Sequence, residues 1–127
     1  MNRQYEQVKQ FHTQFQSPYA DEPKLLSADR VEKRYQWMLE EINEFKAAQT
    51  IDEQADAVID LIYFALGAMV EMGVKPESLF EIVHQANMSK IWEDGKPHFE
   101  NGKVIKPPTW IDPKPLLIEA INQQIKK

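Results

Sequence analysis

The chain contains no cysteine. Disulfides and thiolate metal sites are therefore excluded, and any bound metal must take oxygen or imidazole ligands. No apolar run approaches the roughly 18 residues of a membrane span. The opening stretch, Met1 to Gln10, lacks the basic-then-apolar pattern of a secretory signal. No internal repeat or low-complexity linker divides the chain. A basic excess is also missing: 15 Lys and Arg stand against 20 Asp and Glu, a net charge of −5. That balance argues against a broad nucleic-acid surface. Together these absences predict a cytoplasmic protein that engages neither membrane nor nucleic-acid polymer.

What is present is ordinary in amount and uneven in placement. With 127 residues, 43% apolar and 28% charged, the chain suits one globular domain spanning 1–127. The acids concentrate between Glu40 and Asp60, whereas Lys90, Lys96, Lys103 and Lys106 fall in the last third.

Apolar spacing predicts helices. Tyr5, Val8, Phe11, His12 and Phe15 form a helical stripe over about Asn2 to Gln16, broken by Ser17-Pro18. Ser27 is set to cap a second helix reaching about Ala48, with Val31, Tyr35, Met38, Ile42 and Phe45 on one face. Thr50 with Glu53 three residues on reads as a capping box for a third, ending at Gly73. This third helix is apolar almost all round between Ala57 and Val70, the signature of a central, buried element. Pro76 opens a fourth helix carrying Leu79, Ile82, Val83, Ala86 and Ile91. Asn101-Gly102 between short extended runs predicts a small hairpin. Asp112 or Pro113 then starts a last helix with Leu116, Leu117, Ile121 and Ile125. The expected fold is all-α: an antiparallel bundle of four to five helices with a small C-terminal hairpin.

The acids carry the chemistry. Glu40, Glu41 and Glu44 lie on the second helix, and Glu53, Asp56 and Asp60 on the third. At about 100° per residue, positions 53, 56 and 60 share a narrow arc. A short connection favours a helical hairpin, which lets the two sets converge near its closed end. Clustered carboxylates repel, and burying one unpaired costs several kcal/mol. Hard divalent cations cancel that charge and also bridge phosphate oxygens. The plainer reading is a solvated acidic face, and Glu40, Glu41 and Glu44 sit largely opposite the apolar stripe of their helix. Asp60 resists that reading, because it interrupts Val58-Ile59-Asp60-Leu61-Ile62 in the most apolar helix. A structural ion pair to Arg30, Arg34 or a lysine is its remaining plain explanation.

At these residues the sequence resembles the MazG-like and phosphoribosyl-ATP pyrophosphohydrolase superfamily of all-α NTP pyrophosphatases. Glu41-Ile-Asn-Glu44 matches its E-x-x-E motif. Its second motif, E-x-x-D, is met by Glu53-Gln-Ala-Asp56 after a short gap, or by a frame ending at Asp60 with Ala57 in place of Glu. Asp60 to Tyr63 followed by Gly67, then Asn87-Met-Ser-Lys90 ahead of the hairpin and Trp110, looks like the subgroup acting on free nucleotides. The resemblance covers about residues 27–111. It implies cleavage of a nucleoside triphosphate to monophosphate and pyrophosphate with Mg²⁺ or Mn²⁺. It also implies a homodimer or dimer of dimers with the site beside the subunit interface.

On that basis Glu41, Glu44, Glu53, Asp56 and Asp60 are the expected metal ligands. Glu40 or Glu41 is expected to position the attacking water or accept its proton. Asn87, Lys90, Lys96, Lys103 and Lys106 are expected to hold the remaining phosphate charge. Trp37, off the apolar stripe and near Glu41 and Glu44, is the expected partner for a base. House-cleaning of damaged nucleotides, dUTP or dCTP control and phosphoribosyl-ATP hydrolysis all stay open as substrates. Two rivals stand beside the hydrolase: a non-catalytic helical interaction module, and a di-iron site suggested by Glu81-Ile-Val-His84.

Overall fold

The computed structural model describes residues 1–125 as five helices and one two-stranded hairpin, an all-α fold. The described residues form two compact units, Met1–Pro76 with Gln124 and Ile125, and Glu77–Gln123. No helix among the described residues is long and apolar enough to cross a membrane.

In the first unit, α1 (Asn2–Gln14), α2 (Ala28–Ala47) and α3 (Ile51–Met72) pack with α3 against both others. The helix ends follow local chemistry. Ser27 caps α2 by accepting the Arg30 N–H, and Thr50 caps α3 by accepting the Glu53 N–H. The Glu53 carboxylate reaches back to the N–H of Gln49, one residue before the cap, so the box closes one position early. Gly73 ends α3 in the left-handed region at φ 69°, where an added Cβ would also collide with the backbone of Glu22. Tyr5 and Val8 of α1 meet Leu66 and Val70 of α3 in a small apolar core, flanked by Met69. Each such burial contributes about 1.5–3 kcal/mol. The segment after α1 is pinned to the end of α3, with the Ala20 N–H donating to the Val70 carbonyl and the Lys24 N–H to that of Met72.

One face is decided here and one expectation is corrected. The apolar stripe of α2 faces outward: Val31, Tyr35, Ile42 and Phe45 are each about half exposed, while Arg34 and Glu41 are buried. And α3 is not buried all round, since Ile59 is 60% exposed and Val58 and Ile62 are also exposed. The cause is the same in both helices. Their inward faces carry an ion-pair network and an acid cluster, which leaves much of the apolar surface outside.

In the second unit, α4 (Glu77–Met88) packs with α5 (Lys114–Gln123). Strands β1 (His98–Glu100) and β2 (Lys103–Ile105) pair antiparallel, with Phe99 opposite Val104. Asn101 and Gly102 both take positive φ, as a two-residue hairpin turn requires. Trp92 stacks on His98 and donates to the Ile105 carbonyl, and Trp110 donates to the carbonyl of Ala86. The last helix begins at Lys114, whose N–H is accepted by the Asp112 carboxylate. Helix α1 ends two residues before the expected Gln16, and Ile91 and Ile125 lie outside the helices to which the spacing assigned them.

Candidate metal and nucleotide site

The closed end of the α2–α3 hairpin is set by a three-residue connection, Ala48 to Thr50. One turn and more back from it, Glu41 and Glu44 share a face of α2, and Asp60 of α3 comes up beside them. A carboxylate oxygen from each of the three lies within 4.8 Å of the others. Glu41 is only 9% exposed, and its Oε2 is buried without a hydrogen-bond partner. Burial pushes its carboxyl up to about 7; the hydrogen bond with Glu44 and the charges of Glu44, Asp60 and Asp56 add to the rise.

That arrangement lacks a counter-charge. No lysine or arginine among the described residues pairs with any of the three acids. Three carboxylates within reach of one another, one of them with an orphaned buried oxygen, fit a hard divalent cation such as Mg²⁺ or Mn²⁺ and suit no soft metal.

The other expected acids are placed differently. Glu53 is exposed and engaged in its cap. Asp56 is exposed and outside the trio, though near enough to raise the Glu41 carboxyl. Glu40 is exposed on the turn beside the cluster.

The plain explanation for Asp60 fails, because Arg30 and Arg34 are committed elsewhere. Both bind Glu71 on α3: Arg30 through Nε to Oε2 at 2.8 Å and Nη2 to Oε1 at 2.7 Å, Arg34 through Nε and Nη2 to Oε1 at 3.2 and 3.1 Å. Burial pushes the Glu71 carboxyl up, but the two arginines outweigh it and hold the group below its usual range. Sequence reasoning missed Glu71. The signal existed, since Glu71 interrupts Met69-Val70-Glu71-Met72 much as Asp60 interrupts its own apolar run.

Trp37 lies one turn from Glu41, packed against Phe64 with ring centroids 6.1 Å apart. In the second unit, the ammonium groups of Lys90 and Lys106 lie 5.8 and 4.8 Å from the centre of the Trp110 ring. Asn87, Lys96 and Lys103 are exposed. Glu81 and His84 are exposed as well, Glu81 accepting from Gln85, and no three-residue metal group among the described residues includes them. The di-iron reading therefore finds no site.

Comparison with known proteins bears on the family and the fold. The family model described as phosphoribosyl-ATP pyrophosphohydrolase matches residues 8–87. A solved structure of a proposed NTP pyrophosphohydrolase from Exiguobacterium sp. 255-15 is 34% identical, with 95% of each chain covered and a TM-score of 0.52. No curated protein matches the chain. With the family model spanning well over half its length, the chain belongs to the phosphoribosyl-ATP pyrophosphohydrolase family, within the MazG-like all-α pyrophosphohydrolases.

Proposed function

We propose that this protein is a metal-dependent nucleoside triphosphate pyrophosphohydrolase, releasing a nucleoside monophosphate and pyrophosphate. The observation that carries the reading is the convergence of Glu41, Glu44 and Asp60, with one Glu41 oxygen buried and unpartnered. Those three residues would hold Mg²⁺ or Mn²⁺, with Asp56 beside them. When bound, such an ion polarises phosphate oxygens and makes water a better nucleophile. The protein's own part is to fix the carboxylates and to keep Glu41 out of bulk solvent.

Glu40 is exposed next to the cluster and free to orient the attacking water and take its proton. Water adds to phosphorus, the bond to the pyrophosphate leaving group breaks, and one proton is released. Asn87, Lys90, Lys96, Lys103 and Lys106 remain the proposed holders of phosphate charge.

The expected homodimer, or dimer of dimers, is part of the same proposal. Val31, Tyr35, Ile42 and Phe45 on α2 and Ile59 and Ile62 on α3 are exposed apolar side chains in the single chain. A second copy covering them would also narrow the mouth of the acid cluster.

The direct test mixes the protein with Mg²⁺ and a panel of nucleoside triphosphates and measures pyrophosphate and monophosphate. Release of both in equal amounts is expected. No turnover of any member with metal present ends the reading.

A further inference from the structure

Two cations and one indole meet in the second unit. Lys90 and Lys106 are the cations and Trp110 is the ring, and each is placed by its own stretch of chain. Lys90 follows the end of α4, where its N–H donates to the Asn87 carbonyl at 3.2 Å. The carbonyl of Ala86, one of those a helix leaves over at its C-terminus, accepts the Trp110 indole N–H at 2.8 Å. Lys106 follows β2 and precedes Pro107, which favours extended backbone at that position. Pro107 to Trp110 then form a tight turn, closed by the Trp110 N–H donating to the Pro107 carbonyl at 3.0 Å. Pro108 stands second in that turn, where proline is favoured. The turn returns the indole to Lys106, and its bond to α4 brings it to Lys90.

The ring holds both ammonium groups without neutralising either. Lys106 Nζ lies 4.8 Å from the ring centre and Lys90 Nζ 5.8 Å. An aromatic face attracts a cation through its quadrupole but carries no net charge. No acid among the described residues forms an ion pair with either lysine. Two like charges drawn to one ring repel each other, and an anion shared between them relieves that repulsion.

The same placement lowers the cost of gripping an oxyanion. A lysine in solvent gives up rotamer freedom when it binds one, whereas a lysine already lying on a ring has given up part of it beforehand. Lys96 and Lys103 of the same hairpin region have no ring partner among the described residues. The proposed holders of phosphate charge are thereby unequal.

We propose that Trp110 is a positioning residue that docks Lys90 and Lys106 into one grip for the polyphosphate of the substrate. The assignment rests on the hydrolase reading and refines it: the two ring-held lysines do most of the holding, and Lys96 and Lys103 do little. Trp110 acts through the two lysines, without contacting phosphate itself.

The test is calorimetric titration with inorganic tripolyphosphate at low ionic strength, in a chelator that takes metal at the acid cluster out of the measurement. Trp110→Leu and Trp110→Phe both lose the indole N–H and its bond to Ala86, but only Phe keeps an aromatic face. Trp110→Leu is expected to weaken tripolyphosphate binding by about tenfold, and Trp110→Phe by no more than about threefold. Equal results for the two variants would mean that the indole merely caps α4, and would overturn the assignment. An absence of binding by wild type overturns it as well. Should Trp110→Leu not fold, the lysines carry the test. Lys90→Met and Lys106→Met are each expected to lose about tenfold, and Lys96→Met and Lys103→Met no more than about twofold. A uniform loss across the four overturns the assignment. Steady-state hydrolysis in Mg²⁺ separates this claim from the hydrolase reading. A raised KM with unchanged kcat in Trp110→Leu supports both. Ring-dependent tripolyphosphate binding without turnover of any nucleotide keeps the grip and ends the hydrolase reading. Turnover with KM unaltered in Trp110→Leu keeps the hydrolase and ends the grip.

Discussion

Arg30 grips the carboxylate of Glu71 through two near-parallel hydrogen bonds, 2.8 and 2.7 Å long, from forty-one residues away in sequence. Arg34 closes on the same carboxylate from one turn further along α2. This three-residue lock ties α2 to the far half of α3. Glu71 is 2% exposed, so removing it would strand the Arg34 cation, itself buried. Glu71→Ala is expected to cost about 3–5 kcal/mol in urea unfolding. Arg30→Ala should cost less, because a quarter of that side chain is already in solvent.

The acid cluster makes stability depend on pH in a direction opposite to most carboxylates. Glu41 rises from 4.5 when free to about 7 when folded. Below the lower value both states hold the proton. As pH climbs through the window, the unfolded chain releases it while the fold retains it, so stability is lost with rising pH. A shift of that size corresponds to something on the order of 3 kcal/mol. In a chelator, the stability gap between wild type and Glu41→Gln is expected to move against wild type from pH 5 to pH 8. Adding Mg²⁺ should reverse that movement. An identical pH dependence in both proteins would refute the placement of Glu41.

Metal should stabilise the fold by binding only its native form. Free Mg²⁺ at a hundredfold over its dissociation constant is worth about 2.7 kcal/mol. Thermal melts with and without the ion are expected to show that rise in wild type and a clearly smaller one in Asp60→Ala. Glu53→Ala is expected to keep the metal response but lose about 1 kcal/mol of stability through its cap.

The exposed apolar surface gives a prediction about assembly. Ile59 is 60% exposed on α3. As a surface position in the single chain, its replacement by Asp should change intrinsic stability by only about 0.5 kcal/mol. If a second copy covers it, Ile59→Asp will shift the protein to monomer in sedimentation velocity, at concentrations where wild type is dimeric. A wild-type protein that sediments as a monomer contradicts the proposed assembly.

The parts of this fold that were legible in sequence are the local ones. Ser27, Thr50, Gly73 and the Asn101-Gly102 turn each act on neighbours a few residues away, so their chemistry could be read directly. Asp60 was legible for another reason, as an acid stranded in an apolar run. Spacing did not reveal which face of α2 turns inward. Periodicity groups Val31, Tyr35, Ile42 and Phe45 on one side, but it carries no information about what meets that side. The Glu71 partnership was hidden because Arg30 and Arg34 offered themselves equally well to Asp60. Only the three-dimensional register of the two helices, with Glu71 three turns beyond Asp60, decides between the carboxylates.

The three-residue connection between α2 and α3 has a consequence for how this sequence can change over evolutionary time. Because both helices are rigid and capped, the phase of α3 relative to α2 is set at Thr50. One residue gained or lost between Glu53 and Asp60 would swing everything downstream by about 100°. Asp60 would leave Glu41 and Glu44, and Glu71 would leave its arginines, in a single step. Length variation in this chain must therefore fall outside that interval, while substitutions within it remain free wherever a side chain faces solvent.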